Sequence, residues 1–233
     1  MISLAAFDMA GTTIDDGGAV YRALENAVTE TGVAVSPENL QTWMGVEKRE
    51  AIAALIELGG GVVSDDKISA TYERFRALLD EYYTAEPPKP IAGAPEAIAA
   101  LQAAGIRVAL TTGFSRDVAE SILAGLGWVV GGSEATAGAG GVRVDALACG
   151  DDVAAGRPAP YMIHRVMEAT GVTSVAAVLV AGDTAVDVRS GVNAGAAVSI
   201  GVLSGKLDRA DFDGEQATAV LDSVAAIPAY LGL

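Results

Sequence analysis

Short apolar runs recur along the chain, and polar residues follow each of them. The runs are rich in β-branched residues or alanine, which is typical of strands buried on both faces of a parallel sheet. Helical patterns separate them, so the order predicts an α/β fold with a doubly wound parallel sheet. The predicted strands cover residues 2–7, 106–110, 175–181 and 197–202.

Polar residues cluster where these strands end. Asp8 follows the first, Thr111-Thr112-Gly113 follows the second and Gly182-Asp183 follows the third. In such sheets ligands bind at the carboxyl ends of the strands, so we expect a site at this edge. The hydroxyl of Thr112 and the amide of Gly113 can both face a bound anion. Thr111 is the lesser candidate, because neighbouring strand residues point to opposite faces.

A long stretch without strands separates the first two runs. Residues 19–31, 36–58 and 65–83 have the periodicity of amphipathic helices. Glycines at 17 and 18 and a proline-rich segment at 87–90 bound the stretch and suit linkers. The pattern predicts a helical domain at 16–89, inserted into a core formed by 1–15 and 90–233.

Two further segments have weaker patterns. The apolar stripe of helix 19–31 could pair two copies of the chain into a homodimer, but it could equally pack within one chain. The glycine- and alanine-rich stretch 131–141 has no periodicity and predicts a mobile surface loop without an assigned function.

Composition limits the classes of partner. The 233 residues are 51% hydrophobic and 19% charged, which indicates a folded protein, and the net charge of -15 argues against nucleic acid or an anionic membrane surface as a partner. Cys149 is the only cysteine, so an internal disulfide and a cysteine-cluster metal site are excluded. With no signal-peptide or membrane-spanning pattern, we expect a cytoplasmic protein with a small-molecule substrate.

Two acidic motifs carry candidate chemistry. Asp8, followed by Gly11-Thr12-Thr13, can attack phosphorus while neighbouring amides hold the phosphoryl oxygens. Asp183 and Asp187, four residues apart, could hold a divalent cation directly or through water. The alternatives are a turn aspartate at position 8 and, at 183–187, a capped helix with an acidic first turn.

Arg157 is a cation in the turn Gly156-Arg157-Pro158, just before a helical pattern at 160–170. It could bind phosphate oxygens or orient Asp8. An isolated arginine in a turn is more often a surface residue.

The order of these motifs resembles that of the haloacid dehalogenase superfamily over the whole chain, which implies a Rossmann-like core. The helical insertion resembles the type 1 cap of that superfamily. The resemblance implies an aspartyl-phosphate mechanism with Asp8 as nucleophile. It implies that Mg²⁺ is held by Asp8, Asp183 and the carbonyl of Ala10, with Asp187 supporting the metal site. The groups that it implies bind the phosphoryl group are Gly11, Thr12, Thr112, Gly113 and Arg157.

Ala10 is informative because typical phosphatases of this superfamily have a second aspartate there. That aspartate protonates the leaving alcohol, and such general acid catalysis contributes about 10²- to 10⁴-fold. With alanine instead, Asp-x-Ala-Gly-Thr resembles the phosphonatase, or phosphonoacetaldehyde hydrolase, subgroup, which also has arginine in place of the usual third-motif lysine. A different leaving group is therefore implied.

In phosphonatases a cap lysine forms a Schiff base with the substrate aldehyde. The segment Met44-Gly45-Val46-Glu47-Lys48 resembles the Met-Gly-x-x-Lys that carries this lysine. The resemblance implies that Lys48 is the imine-forming amine and that Met44 contacts the substrate. The alternative is a solvated helix lysine between Glu47 and Arg49.

One departure affects the substrate. Phosphonatases resemble one another in a histidine three residues after the lysine, and this chain has Ala51 there. We therefore expect a related 2-oxoalkylphosphonate rather than phosphonoacetaldehyde itself. Two alternatives stay open: a phosphatase of small phosphorylated metabolites, and a catalytically silent binding protein with the same fold.

Overall fold

The computed structural model describes residues 1–132 and 141–233, so most of the predicted loop at 131–141 lies outside the described residues. The strands are β1 (Leu4–Asp8), β2 (Ile14–Asp15), β3 (Lys89–Pro90), β4 (Arg107–Thr111), β5 (Val129–Val130), β6 (Arg143–Val144), β7 (Ala146–Ala148), β8 (Val178–Gly182), β9 (Val198–Val202) and β10 (Ala219–Leu221). The helices are α1 (Ala19–Thr29), α2 (Pro37–Thr42), α3 (Lys48–Leu58), α4 (Asp65–Ala85), α5 (Ala94–Ala103), α6 (Arg116–Gly125), α7 (Tyr161–Thr170), α8 (Ala185–Ala194) and α9 (Ile227–Tyr230).

The main sheet of the described residues has six strands in the order β10-β9-β8-β1-β4-β7. All its pairings are parallel, which confirms the predicted α/β fold. The four predicted strands correspond to β1, β4, β8 and β9, with ends that differ by up to three residues. The largest difference is at Val175–Ala177, which forms a 3₁₀ turn before β8.

The register aligns the strand ends that carry the polar residues. Asp8 at the end of β1 pairs with Thr111 at the end of β4. On the other side of β1, Phe7 pairs with Ala181, one residue before the end of β8. Polar groups that follow β1, β4 and β8 therefore meet at one edge of the sheet.

A buried cluster between the sheet and α7 anchors this edge. Alanines on the strands, among them Ala6 and Ala109, pack in one cluster with Met162 and Val166 of α7. Small side chains on the sheet let the helix backbone approach closely. All five residues of β1 are buried, so the strand that ends in Asp8 is held on both faces.

The chain divides into two compact units, one made of Met1–Asp15 and Lys89–Leu233 and the other of Asp16–Pro88. Within the second unit α1 packs against α4. The apolar residues of α1, from Ala19 to Val28, are buried in the chain, so the stripe that could have paired two copies is already covered.

The predicted helix at 36–58 is wrong as a single element, because the chain turns between α2 and α3. Gly45 has φ 76°, a left-handed conformation that glycine adopts without the steric cost of a side chain. The carboxylate of Glu47 then accepts bonds from the amides of Arg49 and Glu50, both at 3.0 Å, and so caps a new helix. Lys48 is the first residue of α3 rather than a residue in the middle of a helix.

Within the described part of the chain, no helix combines the length and the apolar composition needed to cross a membrane.

Candidate active site

The loop after β1 is built around the carbonyl of Met9. The amides of Thr12, Thr13 and Ile14 donate to its oxygen at 3.2, 2.9 and 2.8 Å. The Thr13 hydroxyl donates to the carbonyl oxygen of Asp8 at 2.9 Å. These bonds fix the backbone around Asp8, so its carboxylate leaves the end of the strand in a set direction.

Three buried carboxylates meet at the carboxyl edge of the sheet. Asp8 ends β1, Asp183 follows β8 and Asp187 lies in the first turn of α8. One oxygen from each lies within 4.8 Å of the others. Because β1 and β8 are parallel neighbours, residues far apart in the sequence reach the same point.

Arg157 lies among these acids and is 3% exposed. Its Nη1 donates to Asp8 Oδ1 at 2.7 Å and lies 2.9 Å from Asp187 Oδ1. Its Nη2 donates to Thr111 Oγ1 at 2.7 Å. Arg157 is thus an internal bridge between carboxylates and not the surface residue that an isolated arginine in a turn would suggest.

Asp187 joins the start of α8 to this bridge. Its Oδ2 accepts from the amide of Thr184 at 3.0 Å and from the Thr184 hydroxyl. Its buried Oδ1 has the ion pair with Arg157, out of line for a hydrogen bond, and no hydrogen-bond partner. The capped helix that the sequence analysis gave as an alternative for 183–187 is therefore present at the start of α8. The Asp187 side chain that takes part in the cap also faces the acidic site.

Asp183 occupies a narrow slot. The Thr12 hydroxyl donates to Asp183 Oδ1 at 2.9 Å. A Cβ on Gly11 would lie 2.7 Å from the Cγ of Asp183, and a Cβ on Gly205 would lie 2.6 Å from it, so both walls require glycine. The hydroxyl of Ser204 donates to the carbonyl oxygen of Gly11 at 2.7 Å and ties the two walls together.

Sequence reasoning missed Ser204 and Gly205, although a signal for them exists. They follow β9 closely, at the same edge of the sheet as the other polar residues. Like the polar residues after β1, β4 and β8, they lie just beyond the end of a predicted strand.

Thr111, the last residue of β4, and Thr112, which follows it, have different hydrogen-bond partners. Thr111 bonds to Arg157, whereas Thr112 Oγ1 accepts from the amide of Phe114 at 3.2 Å. The register explains this: Thr111 pairs with Asp8 in a parallel ladder, where paired residues point to the same face. Thr112 and Gly113 follow the strand end, and their predicted contact with an anion stays a prediction.

The electrostatics of the site reflect excess buried negative charge. Burial raises the pKa of Asp8 to about 7, while Arg157 lowers it and Asp187 raises it. Burial, and then the charges of Asp8 and Asp187, raise the pKa of Asp183 well above its usual range. Burial opposes the charge on Arg157, but Asp187 and Asp8 outweigh it and raise the pKa of the guanidinium. Three carboxylates against one guanidinium leave charge that a cation would balance.

The residues present fit a hard divalent cation. The donors are carboxylate oxygens, which Mg²⁺ and Ca²⁺ prefer, and Asp187 Oδ1 is a buried acceptor without a hydrogen bond. Ala10, whose carbonyl is a predicted ligand, is half-buried in the loop that follows Asp8. The structure therefore contains a buried acidic group that could hold a metal ion.

A second acidic group is accounted for by local bonds. Cys149, Asp151 and Asp152 also have ligand atoms within 4.8 Å of one another. Asp152 bonds to the Arg116 guanidinium and to the amide of Cys149, and Asp151 accepts from the amide of Arg116. Burial raises the pKa of the Cys149 thiol to about 12, so it is protonated at neutral pH.

In the helical unit, Lys48 is 5% exposed, which is rare for lysine. Its Nζ donates to the carbonyl oxygen of Val46 at 3.0 Å, across the turn that begins α3. Met44, in the same turn, is also buried. Arg49 instead reaches an exposed face, where it bonds to Ser69 at 2.9 Å and stacks on Tyr72. Lys48 is therefore not the solvated helix lysine of the alternative interpretation.

Comparisons with known proteins agree with this arrangement. The family model of haloacid dehalogenase-like hydrolases matches residues 2–195. A phosphonoacetaldehyde hydrolase from Parabacteroides distasonis is 32% identical over 218 residues, which cover 88% of this chain and 77% of that protein.

Solved structures share the fold. A hydrolase from Pseudomonas syringae superimposes with a TM-score of 0.82 at 18% identity, covering 99% of this chain and 98% of that one. A phosphonoacetaldehyde hydrolase-like protein from Oleispira antarctica gives a TM-score of 0.79 at 23% identity, covering 99% and 91% of the two chains.

Proposed function

The chain belongs to the haloacid dehalogenase-like hydrolases, and from that premise we propose that it cleaves the carbon–phosphorus bond of a 2-oxoalkylphosphonate. Asp8 is the nucleophile and Lys48 the imine-forming amine. The observation that carries the proposal is a buried lysine in an enzyme that has Ala10 where an acid would serve an ester substrate. The relative named phosphonoacetaldehyde hydrolase supports the substrate class.

The position of Ala10 argues for a leaving group that needs no general acid there. A methyl side chain cannot protonate an alkoxide, so ester cleavage would forfeit about 10²- to 10⁴-fold. A carbon leaving group adjacent to an imine departs as a neutral enamine instead. The loss of the acid and the presence of Lys48 are therefore two parts of one chemistry.

The first half of the reaction uses both residues. The Lys48 nitrogen adds to the substrate carbonyl and water leaves, which gives a protonated imine. A carboxylate oxygen of Asp8 then attacks phosphorus. As the new oxygen–phosphorus bond forms, the carbon–phosphorus bond breaks, and its electron pair moves toward the imine nitrogen to give the enamine.

The second half regenerates the enzyme. The enamine carbon takes up a proton, and water hydrolyses the resulting imine to release the carbonyl product and the Lys48 amine. Another water hydrolyses the aspartyl phosphate to inorganic phosphate and free Asp8. One water is released and two are consumed, so the net reaction uses one water.

The acidic residues have supporting parts. Asp8, Asp183 and the carbonyl of Ala10 would hold Mg²⁺, with Asp187 in support. The ion would supply positive charge that draws the substrate phosphoryl oxygens to Asp8 and offsets their repulsion. Arg157 holds Asp8 through the 2.7 Å bond and sets the direction of its carboxylate.

We extend the proposal to the remaining predicted positions. The phosphoryl group of the substrate lies against Gly11, Thr12, Thr112 and Gly113. Met44 contacts the organic part of the substrate. Each predicted domain has its own part in the proposed reaction. The core at 1–15 and 90–233 provides the nucleophile Asp8 for phosphoryl transfer, and the cap at 16–89 provides the amine of Lys48.

The test is turnover of carbonyl phosphonates by wild type, Lys48→Arg and Lys48→Ala in the presence of Mg²⁺, with inorganic phosphate as the readout. We expect the rate of phosphate release by both variants to fall at least about 10²-fold, because neither arginine nor alanine provides a neutral amine that can form an imine. Borohydride added with substrate should reduce the imine and attach the product skeleton to the peptide that contains Lys48.

Lys67→Arg is the matched control, since Lys67 lies in α4 of the same helical unit. It should retain wild-type turnover. Normal phosphonate turnover by Lys48→Arg, or no borohydride adduct during active turnover, would contradict the lysine's role.

The same fold could instead serve a phosphatase of small phosphorylated metabolites, and Ala51 favours that alternative. Ala51 is fully buried and has no group that could transfer a proton, unlike the histidine that phosphonatases share at this position. Phosphate esters assayed beside the phosphonates separate the two functions. Release of phosphate from esters alone, unaffected by Lys48→Ala, would establish the phosphatase.

A further inference from the structure

The side chain of Arg157 is held by three groups, and one of them is not an acid. Its Nη1 contacts the carboxylates of Asp8 and Asp187 at 2.7 and 2.9 Å. Its Nη2 donates to the hydroxyl of Thr111 at 2.7 Å. Different groups therefore hold Nη1 and Nη2. The carboxylates hold Nη1, and the Thr111 hydroxyl holds Nη2, so the guanidinium cannot rotate freely about Nη1.

The hydroxyl contact is buried, so its removal carries a cost that solvent cannot offset. Arg157 is 3% exposed and Thr111 is 2% exposed. A guanidinium N–H that loses its acceptor in such a place must stay unsatisfied or turn toward another one. The nearby acceptors are the carboxylates, so a turned guanidinium would change how Asp8 is held.

Thr111 suits this task for two structural reasons. It pairs with Asp8 in the register of β4 with β1, so both side chains leave the sheet on the same face and at the same level. Threonine is also β-branched, which restricts its side-chain rotation and holds the hydroxyl in place. The hydroxyl accepts a bond without adding negative charge beside three buried carboxylates.

We propose that Thr111 is a positioning residue of this enzyme, which orients Arg157 and through it the carboxylate of Asp8. The inference rests on the proposed role of Asp8 as nucleophile, but not on the identity of the leaving group. It therefore holds for cleavage of a phosphonate or of a phosphate ester.

The test compares Thr111→Val, Thr111→Ser and Thr170→Val. Valine keeps the shape of threonine and removes the acceptor, whereas serine restores it. Thr170 is the matched control, because its buried hydroxyl bonds within α7, to the carbonyl of Val166 at 2.7 Å. Steady-state kinetics use whichever substrate the wild type turns over.

We expect Thr111→Val to lower kcat about 10- to 100-fold with KM within about threefold, since a misaligned nucleophile slows attack more than it weakens binding. Thr111→Ser should recover most of kcat, and Thr170→Val should keep it. Wild-type kcat in Thr111→Val would overturn the inference. So would equal losses in Thr111→Val and Thr111→Ser, or a loss in Thr170→Val as large as that in Thr111→Val.

A second readout separates failure of this inference from failure of the proposed function. Beryllium trifluoride with Mg²⁺ mimics a phosphoryl group on an aspartate and needs no substrate. We expect it to raise the unfolding temperature of the wild type, of Thr111→Ser and of Thr170→Val, and to raise that of Thr111→Val much less. If the wild type binds the mimic but releases phosphate from no carbonyl phosphonate, the proposed function fails. If the mimic raises the unfolding temperature of Thr111→Val as much as that of the wild type, the role of Thr111 is overturned. The role is also overturned if the mimic does not raise the unfolding temperature of the wild type, because Asp8 would then not be the phosphoryl acceptor.

Discussion

At the scale of single residues, the acidic edge of the site depends on missing side chains as well as on carboxylates. Asp183 lies between Gly11 and Gly205, and its Oδ1 accepts from Thr12. Gly11 has φ 90°, so a substitution there would change both the backbone and the space. Gly205 has no such conformation, which makes it the cleaner position for testing the slot.

We predict that Gly205→Ala weakens Mg²⁺ binding about 10- to 100-fold, the range seen when groups that orient metal ligands are changed. The added methyl group would lie 2.6 Å from the Cγ of Asp183, so the carboxylate must move. Calorimetric titration with Mg²⁺ measures the effect. The control is Gly125→Ala, because a Cβ on Gly125 meets nothing within 4 Å. Unchanged affinity in Gly205→Ala would show that Asp183 does not bind the ion.

The residue scale is also where prediction from the sequence reached its limit. Asp8, Asp183, Asp187 and Arg157 were identifiable because each belongs to a motif at a strand end or a turn. Thr111 was ranked below Thr112 by strand alternation alone, since the register that places it beside Asp8 depends on pairing between strands distant in the sequence.

At the scale of elements, Asp145 joins the end of helix α5 to the two strands β4 and β6. Its carboxylate accepts from the amide of Val108 at 2.8 Å, from Arg143 at 3.0 Å and from Gln102 at 3.3 Å. Burial raises the pKa of Asp145, but these hydrogen bonds outweigh burial and hold the pKa below its ordinary value. The charged form is therefore the one that stabilises the fold.

We predict that Asp145→Asn lowers the free energy of unfolding at pH 7 by about 1.5–3 kcal/mol, the usual range for hydrogen bonds to a charged group. A lowered pKa gives stability that is present above the unfolded value of about 3.9 and is lost as pH falls through the folded value. The difference in the free energy of unfolding between wild type and Asp145→Asn should therefore become smaller below about pH 4. Urea unfolding at pH 7, 4 and 3 measures it, with the exposed Asp213→Asn as control. A gap of equal size at pH 3 would refute the ionic contribution.

Elements were predictable where the pattern was long. The strands β1, β4, β8 and β9 have five residues each and were predicted, whereas the three-residue strands β7 and β10 were not. The break between α2 and α3 was missed because amphipathic periodicity continues through Gly45, and only its left-handed conformation reveals the turn. The break makes Lys48 the first residue of a helix.

At the scale of the whole molecule, the fold followed from the order of its elements. Buried strands separated by helices specify a parallel sheet, and such a sheet brings its carboxyl ends to one edge. The positions of Asp8 and Asp183, 175 residues apart, follow from this rule and from the adjacency of β1 and β8. The bonds of Arg157 do not follow from it, because they depend on a turn whose path no periodic pattern specifies.

Charge links the site to the stability of the whole chain. The protein has a net charge of -15, and three carboxylates with a single guanidinium lie buried at one point. Folding must bring these like charges together, whereas the unfolded chain keeps them apart in water. A divalent cation that binds only the folded state would offset part of that cost.

We therefore predict that Mg²⁺ raises the unfolding temperature of chelator-treated protein. At a concentration 100-fold above Kd the gain is about 2.7 kcal/mol, or roughly 5–10 °C for a chain of this size. Asp183→Asn should remove most of the shift. Asp151→Asn should keep it, because the carboxylates of Asp151 and Asp152 are already bonded to Arg116. A shift that survives Asp183→Asn and disappears in Asp151→Asn would assign the ion to the second acidic group.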